Sequence, residues 1–359
     1  MDNERTTFID FSPQRILVLK LSSLGDIVHT LPAVAALRKR FPLAHICWMV
    51  KSQWASIVEG NPDINEVWPV DVSWKYWLTI IQGLRRRHCD LVMDFQGLFR
   101  TGLLGIFSGA SMRVGFAQAR EGAPWMYTHR VSLPGDEQSS WRLLAVHAVD
   151  RNLALVRLLG ADISQPLFHF PGLAQDHTAI GEVLSHVHIK GDESLIALAP
   201  WSRSALKSWP LNRFLQLAEK LVRLPGFRVV VIGGSADIQA GAEFQPLESQ
   251  GLINLVGKFS LRQLPALLKK MALVVGNDSA LIHVAAGVGT PVLAIFGPTN
   301  PKATGPYPLA QHVVCRTELP CSPCGQRICR NSPYLECLHS ISVDTIFTSI
   351  QETLVSSPS

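Results

Sequence analysis

The chain has 359 residues, and this length favours about two domains because single hydrophobic cores rarely serve more than roughly 250–300 residues. Its composition, 47% hydrophobic and 17% charged, excludes an intrinsically disordered protein. Lysine and arginine outnumber aspartate and glutamate by 33 to 28, so the net charge of +5 mildly favours anionic partners without choosing among them. The first twelve residues do not resemble a secretory signal, and no apolar run reaches the about 18 residues of a membrane span, so we expect a cytoplasmic protein.

Strand-like and helix-like segments alternate along the whole chain, which is typical of an α/β protein built on parallel sheets. In the first half, strands are predicted at residues 15–21, 45–50, 66–70, 90–95 and 112–116. In the second half, strands are predicted at residues 195–199, 228–232, 252–256, 273–275 and 291–296.

The same pattern predicts where the domains divide. A long helix is predicted over residues 138–159, and a linker over residues 166–192. We therefore predict two Rossmann-like domains, one over residues 1–180 and one over residues 181–359. A last helix is predicted near residues 342–354, and whether it packs back on the N-terminal domain stays open at this point.

A polar turn follows the first predicted strand. Residues 20–26, with the sequence KLSSLGD, combine two serines, a glycine and Asp26 at the place where a parallel sheet positions its ligands. Asp26 has two interpretations from this segment alone. It is either the N-cap of the following helix or a general base that takes a proton from an incoming hydroxyl group.

Polar turns also follow strands of the second half. The loop at residues 200–210 carries Ser202 and Lys207, which could bind phosphate without a metal, although Lys207 is equally well a solvated lysine. A glycine pair precedes Asp237, which could meet a ribose hydroxyl. The spaced glycine fingerprint of dinucleotide-binding domains is missing, so a dinucleotide site is not predicted.

Two further turns carry Asp278, Ser279 and His283, and then Thr299. A single histidine in such a place is more often a core residue than a ligand. Several polar turns at one sheet edge favour a binding role, because the carboxyl ends of parallel strands meet there. The second half therefore predicts a site for a phosphorylated donor.

The segments that identify a family are KLSSLGDIVHTLPA at 20–33, DFQGL at 94–98, the loop at 202–210, NDSALIH at 277–283 and FGPTNP at 296–301. In these segments the chain resembles the ADP-heptose lipopolysaccharide heptosyltransferases of glycosyltransferase family 9. Its first segment is more similar to the subtype that adds the first heptose than to the subtype that adds the second.

The resemblance implies a GT-B fold, in which two Rossmann-like parallel-sheet domains face a central cleft. It implies an inverting, metal-independent transfer of L-glycero-D-manno-heptose from ADP-heptose in the C-terminal domain to Kdo-lipid A or the inner core of lipopolysaccharide in the N-terminal domain. No cofactor is implied for catalysis. The implied partners are ADP-heptose, this lipid-linked acceptor and the inner-membrane surface, with no nucleic acid.

The resemblance also implies roles for individual residues, with Asp26 as the catalytic base. The residues implied to bind the donor are Ser202, Lys207, Asp278, Ser279, His283 and Thr299, and Asp237 is added from its position alone. The residues implied to bind the acceptor are Ser23, Gly25 and His29, and Arg100 and Arg113 are added because they follow strand ends in the acceptor half. Structural salt bridges explain the two arginines equally well, and Ala280 stands where the family commonly has glycine.

The seven cysteines include a group with the spacing Cys-x2-Cys-x4-Cys-x7-Cys, formed by Cys321, Cys324, Cys329 and Cys337. Three interpretations stay open: a structural zinc or iron–sulfur site, pairing on oxidation, and free thiols. The other three cysteines, in strand-like runs, are predicted to be buried as small apolar residues.

Two functional alternatives remain at this point. One is a GT-B enzyme that uses another nucleotide sugar, such as a UDP-hexose. The other is a catalytically silent protein that binds a nucleotide sugar on the same fold.

Overall fold

A computed structural model describes residues 11–133, 146–172 and 193–356, together with positions 176, 178, 180, 181 and 184. The chain divides into two compact units, Met1–Ser139 with Val146–Pro171, and Ser140–Ala145 with Gly172–Ser359. Each unit contains a six-stranded parallel sheet with helices, which confirms the predicted α/β class. No helix in the described ranges combines the length and apolarity that crossing a membrane requires.

The first unit is built on β1 to β6 and α1 to α5. In chain order these are β1 (Arg15–Leu19), α1 (Leu24–Val28), α2 (Leu31–Arg40), β2 (His45–Lys51), β3 (Glu66–Val70), α3 (Trp77–Arg87), β4 (Leu91–Asp94), α4 (Phe99–Ser108), β5 (Met112–Phe116), β6 (His129–Val131) and α5 (Ala148–Arg157). The sheet order is β3-β2-β1-β4-β5-β6, the order of nucleotide-binding doubly wound sheets. The strand order reverses between β1 and β4, so the crevice for a ligand lies at their carboxyl ends.

The second unit repeats this topology with β7 to β12 and α6 to α13. In chain order these are β7 (Ser194–Ala199), α6 (Leu211–Leu221), β8 (Phe227–Val231), α7 (Ile238–Gly241), α8 (Gln245–Glu248), β9 (Ile253–Asn254), α9 (Leu264–Lys269), β10 (Leu273–Asn277), α10 (Ala280–Gly287), β11 (Val292–Ile295), α11 (Pro301–Thr304), β12 (Val313–Cys315), α12 (Glu336–His339) and α13 (Val343–Ser356). Its order is β12-β11-β10-β7-β8-β9, so the reversal falls between β7 and β10.

The central strands form because their residues are apolar on both faces. In β1, Ile16 to Leu19 are fully buried, and in β10 every residue from Leu273 to Asn277 is buried. A parallel strand covered by helices on both faces reads as a continuous apolar run, which is why the central strands were predicted. In the second unit α13 packs on α6, and its Ile346 and Ile350 belong to the core of that unit.

Two edge strands, β6 and β12, were not predicted. Each is three residues long, and each is largely half-buried rather than enclosed. A short strand covered on one side only lacks the continuous apolar signal of a central strand. Within the predicted helix at 138–159 the structure places α5 at Ala148–Arg157, while residues 138–145 and most of the predicted linker lie outside the described residues.

Candidate functional site

Asp26 lies in the first turn of α1, directly after the carboxyl end of β1. The N-cap of α1 is Ser23, and Asp26 is the third residue of the helix, so the N-cap interpretation of Asp26 is wrong. The backbone N–H and the hydroxyl of Ser23 donate hydrogen bonds to Asp26 Oδ2 at 2.9 and 2.6 Å. These two hydrogen bonds hold the carboxylate at the start of the helix. The side chain is half-buried, so this carboxylate can meet a second molecule.

The turn that carries Asp26 is fastened to the turn after β4. The side-chain oxygen of Gln96 accepts hydrogen bonds from the backbone N–H groups of Leu21 and Ser22 at 3.1 and 3.2 Å. Asp94 Oδ1 in turn accepts from the backbone N–H groups of Gln96 and Gly97 at 2.9 and 3.0 Å. The DFQGL segment therefore positions the KLSSLGD segment from the neighbouring strand.

A buried charge network lies beneath this turn, and sequence reasoning did not assign it a role. Lys20 is 7% exposed, and its ammonium group donates to the carbonyl oxygen of Phe95 at 2.8 Å. Burial lowers the pKa of Lys20, and the negative charges of Asp26 and Asp94 oppose that change. Burial likewise raises the pKa of Asp94, whose Oδ2 accepts a hydrogen bond from the Tyr127 hydroxyl at 2.8 Å. In the sequence, the one sign of this buried charge network was the position of Lys20 at the end of an apolar strand.

The remaining acceptor residues lie in different places in the first unit. Gly25 lies in α1 beside Asp26, whereas His29 is buried at the end of that helix with its ring edge-to-face against His147. Arg100 is exposed in the first turn of α4. Arg113 lies near the start of β5, and its guanidinium donates to the carbonyl oxygens of Met126 and Ala110 at 2.9 and 2.7 Å. These backbone contacts are those of a structural arginine.

In the second unit, five of the seven predicted donor residues meet at Asp278, which is 4% exposed at the carboxyl end of β10. Lys207 Nζ lies 2.5 Å from Asp278 Oδ2, and the hydroxyl of Thr299 donates to the same oxygen at 2.6 Å. His283 Nε2 lies 3.8 Å from Asp278 Oδ1, and the Ser202 hydroxyl lies 3.4 Å from the backbone oxygen of Asp278. Loops after β7, β10 and β11, three neighbouring strands, thus build one cluster.

The Asp278 cluster, defined as these five residues, lies at the N-terminus of α10. Ser279 is the N-cap of this helix, and its hydroxyl oxygen is buried with no hydrogen-bond partner among the described residues. Backbone N–H groups of a first helical turn have no intrahelical acceptor, so they attract anions. Lys207 is about one-third exposed, with 32% of its side chain accessible. A cation, a hydroxyl and a helix N-terminus together make a site for an anionic group such as a diphosphate.

Two residues that sequence reasoning missed shape this cluster. The side-chain oxygen of the buried Asn277 accepts a hydrogen bond from the backbone N–H of Trp209 at 2.9 Å, and its amide nitrogen donates to the carbonyl oxygen of Pro200. These two bonds tie the loop at 200–209 to β10. The ring of Trp201 lies against Gly233, where a Cβ atom would come within 2.7 Å of it. The signal for Asn277 was its position next to Asp278 at a strand end.

Asp237 is not among the residues that contact Asp278. It follows β8, and its carboxylate accepts the Gly234 N–H at 2.8 Å, which closes the turn after that strand. It is half-buried there, so part of its side chain is accessible to a ligand.

The cysteine-rich segment holds the turn that presents Thr299. The Ser322 hydroxyl donates to the carbonyl oxygen of Gly297 at 2.9 Å, and the Gly325 N–H donates to that of Pro298 at 2.7 Å. A Cβ atom at Gly297 would lie 2.6 Å from Leu338 and 3.2 Å from the sulfur of Cys337. This segment therefore fixes the backbone of the turn that places Thr299 in the Asp278 cluster.

The structure does not arrange Cys321, Cys324, Cys329 and Cys337 as the predicted metal site. Over the described ranges, no group of three or more His, Cys, Asp or Glu side chains is placed to hold a metal ion, and all seven cysteines are free thiols. Cys321 is exposed and Cys337 is buried, although the other three thiols of the group lie near enough to Cys337 to act on it electrostatically. Burial and the neighbouring thiols raise the pKa of Cys337 to about 11. The other three cysteines, Cys47, Cys89 and Cys315, are buried as predicted.

Comparison with known proteins identifies the family of the chain. The sequence profile of glycosyltransferase family 9 (heptosyltransferase) matches residues 77–335. Lipopolysaccharide heptosyltransferase 1 of Pseudomonas aeruginosa is 31% identical over 336 residues, which cover 89% of this chain and 88% of that protein.

Solved structures are similar over nearly the whole chain. The family 9 glycosyl transferase of Veillonella parvula has a TM-score of 0.79 at 26% identity, with 96% of this chain and 98% of that chain covered. The E. coli heptosyltransferase WaaC was solved with ADP and with ADP-2-deoxy-2-fluoro heptose, and these structures have TM-scores of 0.71 and 0.70 at 22% identity. Each comparison covers 94% of this chain and 99% of that chain. These neighbours confirm the GT-B type of fold. The chain is a glycosyltransferase and belongs to glycosyltransferase family 9, the heptosyltransferases.

Proposed function

We propose that this enzyme transfers L-glycero-D-manno-heptose from ADP-heptose to an inner-core lipopolysaccharide acceptor, Kdo-lipid A. The observation that carries the proposal is the Asp278 cluster at the N-terminus of α10, because it offers a cation and hydroxyl groups to an anionic donor. The relatives support it, since they include a lipopolysaccharide heptosyltransferase and a heptosyltransferase solved with ADP.

The donor is proposed to bind the second unit through its diphosphate. Lys207, Ser202 and the N-terminus of α10 with Ser279 would receive the phosphates, while Asp278 orients Lys207 through their ion pair. Thr299 and His283, which flank the Asp278 carboxylate, would lie toward the sugar. Asp237 would accept a hydrogen bond from the ribose. As ADP departs, these same groups stabilise the charge on its phosphates, so the transfer needs neither a metal ion nor a cofactor.

The acceptor is proposed to bind the first unit, where Asp26 acts as the general base. Asp26 takes the proton of the acceptor hydroxyl while the hydroxyl oxygen forms a bond to the anomeric carbon of heptose. The bond from that carbon to the phosphate oxygen breaks, and ADP leaves with the electron pair on the opposite face, which inverts the anomeric configuration. Ser23 holds Asp26 in place through two hydrogen bonds.

Gly25, His29 and Arg100 would line the acceptor site with Ser23, while the carbonyl contacts of Arg113 support a structural role for that arginine. An acceptor of this kind is a membrane lipid, so we place the enzyme in the cytoplasm at the inner-membrane surface. We propose no nucleic-acid partner.

The test is mass spectrometry of Kdo-lipid A incubated with ADP-heptose and the purified enzyme in the presence of a chelator. We expect a gain of one heptose, and NMR of the product should show the inverted anomer. Asp26→Asn should abolish the gain while ADP still binds in calorimetry. A gain of hexose from UDP-hexose instead would show that the donor is not ADP-heptose. ADP binding without any transfer would indicate a silent binding protein.

A further inference from the structure

One stretch of the first unit, residues 74–131, carries the charge excess of the whole chain. It contains eight basic residues and three acidic ones, an excess of five that equals the net charge of the complete protein. One of the three acids, Asp94, is 1% exposed and contributes little at the surface. The positive charge of the protein is therefore concentrated on this part of it.

The same stretch exposes large apolar side chains. Of the eleven large hydrophobic residues exposed among the described positions, five lie within it. They are Tyr76 (40% exposed), Leu78 (76%), Phe99 (49%), Ile106 (42%) and Trp125 (83%). Scattered single apolar residues are normal on a surface. Here five exposed apolar residues lie inside one positively charged segment, and this grouping indicates an interaction surface.

The elements that carry these side chains pack side by side. Helix α4 contacts α3, where the rings of Phe107 and Trp77 meet at 6.3 Å. On its other side α4 contacts the 3₁₀ helix Ala123–Met126, and a Cβ atom at Gly102 would come within 2.8 Å of the Met126 sulfur. We call the outer side of α3, α4 and Ala123–Met126 the α4 face.

Helix α4 presents this face with almost no polar cover. Its Thr101 and Ser108 are buried, so its exposed or half-buried positions carry the apolar Phe99, Leu103, Ile106 and Phe107 and one charge, on Arg100. A solvent-facing helix normally carries polar residues on this side. Cations lie beside the exposed aromatic rings of the α4 face. The guanidinium of Arg130 lies 5.6 Å from the ring centroid of Trp125, and the ammonium of Lys75 lies 4.6 Å from that of Tyr76.

We propose that the α4 face docks on the surface of an anionic lipid bilayer. Exposed aromatic and aliphatic side chains would enter the boundary between headgroups and acyl chains, while arginine and lysine contact the lipid phosphates. The charge excess of the segment selects an anionic surface over a neutral one. The inference rests on the proposed function in one respect, since a lipid-linked acceptor would lie in that bilayer.

The experiment is co-sedimentation of the full chain with vesicles, one set of phosphatidylcholine alone and one with added phosphatidylglycerol. The wild type should bind the anionic vesicles and bind the neutral ones at least about tenfold more weakly, with the difference shrinking as salt is raised. The variant Phe99→Ser/Ile106→Ser should bind anionic vesicles about tenfold more weakly. The matched control is Leu43→Ser, a residue of the same unit that is 95% exposed and lies outside the segment, and it should bind as the wild type does.

A second variant, Arg85→Gln/Arg86→Gln at the end of α3, tests the charge separately and should reduce the preference for anionic vesicles about tenfold. Circular dichroism of each variant checks that it is folded. Equal binding by wild type and both variants would overturn the proposal. Size exclusion that shows the wild type as a dimer and the Phe99→Ser/Ile106→Ser variant as a monomer would overturn it too, by assigning the face to a second copy.

Vesicle binding is measured without donor or acceptor, so its outcome is separate from that of the proposed function. Folded variants should also keep wild-type turnover on detergent-solubilised acceptor and lose it on acceptor held in anionic vesicles. Loss of turnover on both forms would overturn the docking role of these residues, whereas absence of turnover in the wild type would count against the proposed function alone.

Discussion

Lys207 and Asp278 form an ion pair whose members differ in exposure, and its energy can be measured independently of catalysis. The Asp278 side chain is 4% exposed and that of Lys207 is 32% exposed. Lys207→Ala would leave the Asp278 carboxylate buried, with the Thr299 hydroxyl still donating to it. Removing one partner of a buried pair is destabilising because the other charge stays desolvated.

The size of the effect follows from this exposure. Two unit charges about 4 Å apart at an effective dielectric of about 20 attract by about 4 kcal/mol. Solvent reaches one-third of Lys207 and screens part of this attraction, so we expect a loss of about 2 kcal/mol in the free energy of unfolding. For a unit of this size such a loss lowers the melting temperature by about 4–8 °C.

The assay is thermal unfolding followed by circular dichroism, with a second lysine–aspartate pair as control. Lys220 and Asp344 pair in the same unit at 2.6 Å, but their side chains are 44% and 80% exposed. Lys220→Ala should therefore change stability by less than about 1 kcal/mol. The double variant Lys207→Ala/Asp278→Asn should melt higher than Lys207→Ala, because it no longer buries an unpaired charge. Two results would refute this reasoning: a melting temperature of Lys207→Ala no lower than that of Lys220→Ala, or a double variant less stable than Lys207→Ala.

Three further predictions concern other parts of the molecule. Lys20→Met removes a buried cation that interacts electrostatically with Asp26 and Asp94, and should lower kcat while leaving ADP binding by calorimetry unchanged, whereas an unchanged kcat would exclude a role for Lys20. Gly233→Ala puts a Cβ atom against the Trp201 ring and should lower the melting temperature, whereas Gly181→Ala, with open space around it, should not. At pH 8 a thiol reagent should modify Cys321, Cys324 and Cys329 in the native protein, but not the four buried thiols. Burial raises the pKa of Cys47 to about 12 and that of Cys337 to about 11, so their thiolate form should appear only at strongly alkaline pH.

The fold could be predicted where burial leaves a signal in the order of residues. The central strands are continuous apolar runs, so their positions followed from sequence, while β6 and β12 are short edge strands with half-buried residues and carried no such signal. Both sheets place their polar turns at strand ends, which is why all five members of the Asp278 cluster could be named in advance.

The contacts inside the site could not be predicted in the same way. Lys207 and Asp278 lie 71 residues apart, and only the pairing of β7 with β10 brings their loops together. From sequence Asp26 was open between the N-cap and a base; the structure shows Ser23 as the N-cap and Asp26 as the third helical residue of a capping box, and the base role of Asp26 stays a proposal. The cysteine spacing left a metal site, pairing on oxidation and free thiols open, because spacing in sequence gives neither the distances between the sulfur atoms nor the burial of Cys337.

The two units use one strand order but bury opposite charges at the point where that order reverses. In the first unit the lysine is enclosed, with Lys20 at 7% exposure, and Asp26 is half-buried. In the second unit the carboxylate is enclosed, with Asp278 at 4%, and Lys207 reaches the surface. An accessible carboxylate suits proton transfer from a hydroxyl, while an accessible ammonium suits an anionic phosphate. On the proposed function, one fold used twice thus carries two different sites: the first unit would take a proton through its accessible carboxylate, and the second would hold a phosphate through its accessible ammonium.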